Sequence, residues 1–302
     1  MKQLFTILFA FACFCTHAQN EPPSAAQIRG MIEGEISSFN IPPEPVHSVS
    51  DITVWTGSDS VKIRIYYPGD SKNLPAVFNI HGGALVAGNL ESHDNISRII
   101  CHRSNSIVIA LDYRKPPEKP YPAGFNDTWA ILKWINTNAA KLGIDKNNIM
   151  LLSDSGGSLF AAAIPARIRK ENSNIRLIAE AFINPALDLR QESLANANPF
   201  YKLVAGWYLG NTRADDPQVS PLASNDWRTF PPTMIITCEK DELKPHGDSL
   251  ASKLKLSGIS TRLINLPGED HLGGLWAAGH ERANPAITAT LLFIADLRKV
   301  SE

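Results

Sequence analysis

The chain is expected to fold as an α/β protein with a mostly parallel sheet covered by helices on both faces. Three observations carry that expectation. Strand-like apolar runs alternate with helix-period segments from about residue 61 to residue 297. Two of the buried runs end in turns made of small residues, His81-Gly82-Gly83 and Ser153-Asp154-Ser155-Gly156-Gly157. The 302 residues are 44% apolar with a net charge of −1, so the chain is neither a disordered segment nor a basic nucleic-acid binder.

The elements follow in order. Met1 to Ala18 has one cation, Lys2, then an apolar stretch from Leu4 to Cys15, and closes on Thr16-His17-Ala18. This is the pattern of a secretory signal peptide cleaved after Ala18, and it is too short to cross a bilayer comfortably. Cleavage would remove Cys13 and Cys15, leaving Cys101 and Cys238. In an oxidising compartment these two are free either to bridge or to stay buried thiols. Residues 19–50 are polar, with one helical pattern from about Ser24 to Phe39 that Ser24 and Gln27 start as a capping box. Val61 to Ile65 alternates like a half-exposed strand, and Pro75 to Ile80 is more uniformly apolar, like a buried one.

Beyond it, strands are expected at 107–111, 149–152, 177–183, 234–237 and 262–266. Helices are expected at 125–140, at 158–169 with Pro165 as a kink, and at 287–297. Strands separated by helices pair in parallel through right-handed crossovers. The stretch 186–228 breaks the rhythm. With about 19–45 it reads as cap segments over one end of a single domain spanning 19–302. In open α/β sheets the ligand lies at the carboxyl ends of the strands, so an insertion there would act as a lid.

The chemistry-bearing residues fall at those strand ends. Ser155 sits in a strand–turn–helix segment with small residues two positions to either side, as a sharp turn exposing a serine requires. The helix start that follows favours a developing negative charge. A serine hydroxyl needs a base, and the base an orienting carboxylate. Of the later histidines, His271 lies in a Gly-bearing loop after a strand, whereas His246 and His280 fall in helical context, where a solvated histidine is usual. The acid should end the strand at 234–237; Asp241 is preferred over Glu239, with Glu242 also in range. Gly82, Gly83 and Ala84 after the buried strand, with Gly156 after the serine, offer backbone N–H groups for an oxyanion hole. No P-loop, dinucleotide fingerprint or His-rich metal spacing occurs, so no cofactor and no metal is expected.

On these residues the chain resembles the hormone-sensitive lipase family of α/β-hydrolases, bacterial esterase family IV. The likeness is carried by His81-Gly82-Gly83-Ala84 with Gly88, Ser92-His93-Asp94, Asp112-Tyr113-Arg114, Pro117-Glu118 and Tyr121-Pro122-Ala123. Asp154-Ser155-Gly156-Gly157, Pro185-Ala186, Asp188-Leu189, Asp216-Pro217 and Ser220-Pro221-Leu222 continue it, and Asp241-Glu242-Leu243 with Gly268 and His271 completes it. The resemblance implies an α/β-hydrolase fold with Ser155 as nucleophile, Asp241 as acid and His271 as base. It implies structural positions for Arg114 and Glu118, and a helical cap enclosing a modest acyl pocket. Two positions depart from the family: Ala84 stands for its third glycine, and the elbow reads Ser153-Asp154-Ser155-Gly156-Gly157-Ser158 where the family has Gly-Asp-Ser-Ala-Gly-Gly.

The expected protein is an exported serine carboxylesterase acting on short- to medium-chain esters. Its partner is a small-molecule ester, with no nucleic acid and no stable membrane anchor; a homodimer is left open. The alternatives are a carbohydrate (xylan-type) acetyl esterase and a non-catalytic binding protein, like the plant hormone receptors that resemble this family but lack the histidine matching His271.

Overall fold

The fold is described from a computed structural model, which places residues 22–299 except 58, 196, 272–273 and 275–277. The expected export signal at 1–18 lies outside the described residues.

Eight strands form one sheet: β1 (Ser48–Trp55), β2 (Ser60–Tyr67), β3 (Leu74–Ile80), β4 (Ile107–Asp112), β5 (Ile144–Asp154), β6 (Leu177–Ile183), β7 (Thr233–Cys238) and β8 (Thr261–Leu266). Their spatial order is β1-β2-β4-β3-β5-β6-β7-β8. β2 runs antiparallel to both β1 and β4, and every pairing from β4 to β8 is parallel. The helices are α1 (Ala25–Ser38), α2 (Asp94–Ser104), α3 (Ala123–Leu142), α4 (Gly157–Lys170), α5 (Gln191–Leu194), α6 (Pro199–Leu209), α7 (Lys244–Leu256) and α8 (Asn284–Lys299).

Helices cover both faces. Phe125, Trp129 and Leu132 of α3, Leu159 and Phe160 of α4, and Leu250 and Leu254 of α7 share one core with Phe78, Leu151 and Phe182 of the sheet. Ile96 and Ile100 of α2 and Ile287 and Phe293 of α8 share the other with Val77, Met150 and Ile236. The central parallel strands are apolar on both faces because both faces are buried.

The expected elements recur with shifts of a few residues at their ends, and Pro165 lies inside α4. β1, which the polar reading of 19–50 did not anticipate, is an edge strand with only Val54 fully buried, so its sequence carries little apolar alternation. Ser24 and Gln27 do cap α1: the Ser24 amide donates to Gln27 Oε1 at 2.8 Å and the Gln27 amide to Ser24 Oγ at 3.3 Å. A third small core joins Ile28 and Ile32 of α1 to Val204 of α6 around Val86 and Ala87. Arg29 also donates to the Val86 carbonyl and, bidentately, to Glu118, fastening α1 beside the His81 loop. Arg114 is held by Asp127 and Asp59, so both arginine-linked positions are structural. Cys101 and Cys238 are free and buried, and burial pushes each thiol up to about 12. Among the described residues no helix is long and apolar enough to cross a membrane.

Candidate active site

The parallel strands bring their carboxyl ends to one edge. β3 ends at Ile80 and delivers His81, β5 ends at Asp154 and delivers Ser155, and Asp241 and His271 follow β7 and β8. Ser155 adopts a left-handed backbone (φ 46°), a strained conformation for a residue with a side chain. It persists because its surroundings over-determine it. The Ser155 amide donates to the Ile183 carbonyl at 3.0 Å, and its carbonyl accepts from Ala186 N–H at 3.0 Å. At Gly157, two residues on, a Cβ would lie 2.4 Å from the Ile80 carbonyl oxygen, so the turn admits only glycine there. The other flank, Ser153, is buried with its hydroxyl 3.2 Å from that of Ser158.

His271 joins Ser155 to Asp241. Its Nε2 lies 3.0 Å from Ser155 Oγ and its Nδ1 lies 2.8 Å from Asp241 Oδ2. The carboxylate fixes the tautomer: Nδ1–H donates to Asp241, so Nε2 is left to accept the serine proton. Burial lowers the His271 pKa, but Asp241 outweighs it, aided by Asp154 and Asp270, and the imidazole ends above the ordinary histidine value. Asp241 is itself buried, and its Oδ1 accepts the Leu243 amide at 3.0 Å. The Asn184 side chain donates to the His271 carbonyl at 3.1 Å and steadies the loop. The rival acids are engaged elsewhere: Glu239 accepts the Gly268 amide at 2.6 Å, Glu242 accepts from Asn198 at 3.1 Å, and Asp270 pairs with Arg282 at 2.9 Å.

The His81 loop lies against the Ser155 turn. A Cβ on Gly156 would sit 2.9 Å from the Leu85 amide nitrogen, and one on Gly82 would sit 3.0 Å from Ser155 Cβ. Among the described residues the amides of Gly83, Ala84 and Gly156 have no intramolecular acceptor. Gly82 does not join them. Its amide donates to Asp154 Oδ1 at 2.9 Å, so this expected oxyanion donor is already spent on the turn that precedes the serine. Ala84 has φ 52° and Leu85 φ 68°, so alanine at this position carries backbone strain that glycine would not. His81 is buried and stacks on Tyr113 with ring centroids 4.3 Å apart. Its Nδ1–H donates to the Gly82 carbonyl at 2.6 Å. Burial, with Lys115 and His93 nearby, holds its pKa well below the ordinary value, so it is a neutral prop for the loop.

A cavity of about 390 Å³ opens from Ser155, lined by Ala84, Leu159, Leu189, Val204 and other apolar side chains. Its wall also carries residues that the sequence did not single out, Ser193 and Tyr201. His246 is there too, not solvated but half-buried with both ring nitrogens engaged. The one available signal was its position five residues after Asp241, at the start of the helix leaving the active edge. His246 does lie in a helix, α7, whereas His280 precedes the short 3-10 turn 281–283 and accepts the Arg282 amide at 3.3 Å.

Comparisons with known proteins agree with this architecture. The α/β-hydrolase fold family matches residues 77–273, from β3 through the His271 loop. Carboxylesterase NlhH of Mycobacterium tuberculosis is 32% identical over 253 residues, covering 78% of this chain and 79% of the relative. An arylesterase of Saccharolobus solfataricus is 30% identical over 248 residues, covering 78% of this chain and 80% of the relative. The solved structure of a hyperthermophilic esterase from the archaeon Pyrobaculum calidifontis superposes with a TM-score of 0.84 at 26% identity, covering 99% of each chain. The chain therefore belongs to the α/β-hydrolase fold family, in its hormone-sensitive-lipase-like branch.

Proposed function

We propose that the protein is a serine carboxylesterase. The observation that carries the reading is the continuous relay from Asp241 Oδ2 through His271 to Ser155 Oγ, at 2.8 Å and 3.0 Å, opening on an apolar cavity. Ser155 Oγ attacks the ester carbonyl as His271 Nε2 takes its proton. The imidazolium, stabilised by Asp241, returns that proton to the leaving alcohol. The amides of Gly83, Ala84 and Gly156 donate to the oxygen that becomes negative in the tetrahedral intermediate. Water, activated by the same imidazole, then releases the acid from Ser155.

A cavity of about 390 Å³ suits short to medium acyl groups better than long ones. Export to the periplasm or medium is part of the same proposal and is supported by the pattern of Met1 to Ala18.

The decisive experiment is Ser155→Ala with p-nitrophenyl acetate and butyrate as substrates. Turnover is expected to vanish while the circular dichroism spectrum and Tm stay native-like. Undiminished turnover in a folded variant overturns the assignment.

A further inference from the structure

One part of the cavity wall, at His246, Ser193 and Tyr201, is more polar than the rest. His246 Nδ1 lies 3.2 Å from the Leu187 amide nitrogen, which can only donate, so Nδ1 is an acceptor. A neutral imidazole carries its one proton on the other nitrogen, so Nε2–H points at Ser193 Oγ, 2.9 Å away. The serine oxygen is thus the acceptor in that bond, and its own proton remains for something else. Among the described residues Ser193 Oγ has no further partner. Tyr201 lines the same cavity, and its hydroxyl likewise has no hydrogen-bond partner among the described residues. Among the described residues of the lining the carboxylates are Asp188 and Glu242, with no Lys or Arg. Asp188 is occupied by Arg190 through two hydrogen bonds at 2.9 Å and 2.7 Å. Burial keeps His246 below the ordinary histidine value against the pull of Asp188 and Asp241, in keeping with the neutral tautomer.

We infer that Ser193 and Tyr201 form a hydrogen-bonding subsite for an uncharged oxygen on the substrate, a hydroxyl, ether or carbonyl group other than the scissile ester. His246 is the positioning residue that orients the Ser193 hydroxyl. The inference rests on the esterase reading and narrows it: the preferred substrates are oxygenated neutral esters. Plain alkyl esters leave two O–H donors in the cavity without an acceptor, and anionic ones meet a described lining without a Lys or Arg.

The test compares matched esters on the full protein. On the acyl side the pair is p-nitrophenyl 3-hydroxybutyrate against p-nitrophenyl butyrate. On the alcohol side it is 2-hydroxyethyl butyrate against propyl butyrate. The expected result is a preference of about three- to tenfold in kcat/KM for the oxygenated member of one pair, after correction for intrinsic hydrolysis rates. Which pair responds tells which half of the substrate the subsite receives. Ser193→Ala should erase most of that preference, Ser193→Thr should retain it, and His246→Phe should weaken it. A general loss of fold would lower both members of a pair and leave their ratio alone. Equal kcat/KM within both pairs for the unmodified protein, or a preference that survives Ser193→Ala intact, overturns the inference while hydrolysis of butyrate still supports the esterase reading. Absence of all hydrolysis overturns both.

Discussion

The Gly82 amide donates to Asp154 Oδ1 at 2.9 Å, which ties the loop after β3 to the residue just before Ser155. His93 Nε2 approaches the same carboxylate at 3.2 Å. The two loops that the proposed mechanism brings to one substrate oxygen are thus registered by a buried acid, Asp154.

Removing that tie should separate registration from charge. Asp154→Ala is expected to lose about 1–3 kcal/mol of stability and to lower kcat on p-nitrophenyl butyrate more than KM is changed, because a buried amide loses its acceptor. Asp154→Asn keeps an acceptor oxygen and should recover a substantial part of kcat. Urea unfolding and steady-state kinetics on both variants check it; equal kcat in the two speaks against the role.

The pH dependence should follow His271. The base works only when neutral, and Asp241 holds its pKa above the ordinary histidine value despite burial. The acid limb of kcat/KM should therefore be centred above about 6.5, with activity rising as pH increases through it. In Asp241→Asn the limb should move to lower pH, and the plateau should fall by about 10³–10⁴-fold as the tautomer is lost. A pH–rate profile for each protein decides the matter.

Gly83 is a position of the loop that admits no side chain. Its φ is 114°, and a Cβ there would lie 2.4 Å from the Ala87 carbonyl oxygen, within the turn closed by the Ala87 amide donating to the Gly83 carbonyl at 2.8 Å. Gly83→Ala should cost roughly 1–3 kcal/mol in strain alone and abolish most turnover. Thermal unfolding and p-nitrophenyl butyrate hydrolysis read both effects; a fully active variant with an unchanged Tm would contradict this geometry.

Glu180 predicts an alkaline weakness away from the site. It is fully buried in β6, neither carboxylate oxygen has a partner among the described residues, and burial raises its pKa well above the usual carboxylate range. The folded state keeps the proton that the unfolded chain releases near pH 4.3, so its stabilising contribution is complete below that pH. It declines as pH rises toward the folded value, by roughly 1.4 kcal/mol per pH unit. Glu180→Met should raise Tm, with a gain that is small near pH 4.5 and grows toward pH 8. A gain independent of pH would show that the carboxyl titrates normally.

Much of this was legible in the chain itself. Period-two and period-3.6 patterning depends on which face of a local element meets the core, so Leu177–Ile183 and the strand leading to Ser155 could be read without a partner in view. The Ser155 turn was legible for the same reason: its small neighbours are a local steric requirement. β1 was not, since an edge strand exposed on most of its length needs no apolar signature. Sequence could rank Asp241 above Glu239 and Glu242, three carboxylates within four positions, but could not show which one reaches His271.

What the sequence by itself determined is therefore the set of elements, their order and the residue types gathered at the strand ends. Tertiary structure alone decided which of those groups meet. It set Asp241 rather than Glu239 against His271, turned the Gly82 amide away from the cavity toward Asp154, and drew His246 from the expected solvated helix face into the cavity wall beside Ser193. The physical reason is that hydrogen bonds act over about 3 Å between groups tens of residues apart. Only the packing of the sheet and its cap brings such groups within that range.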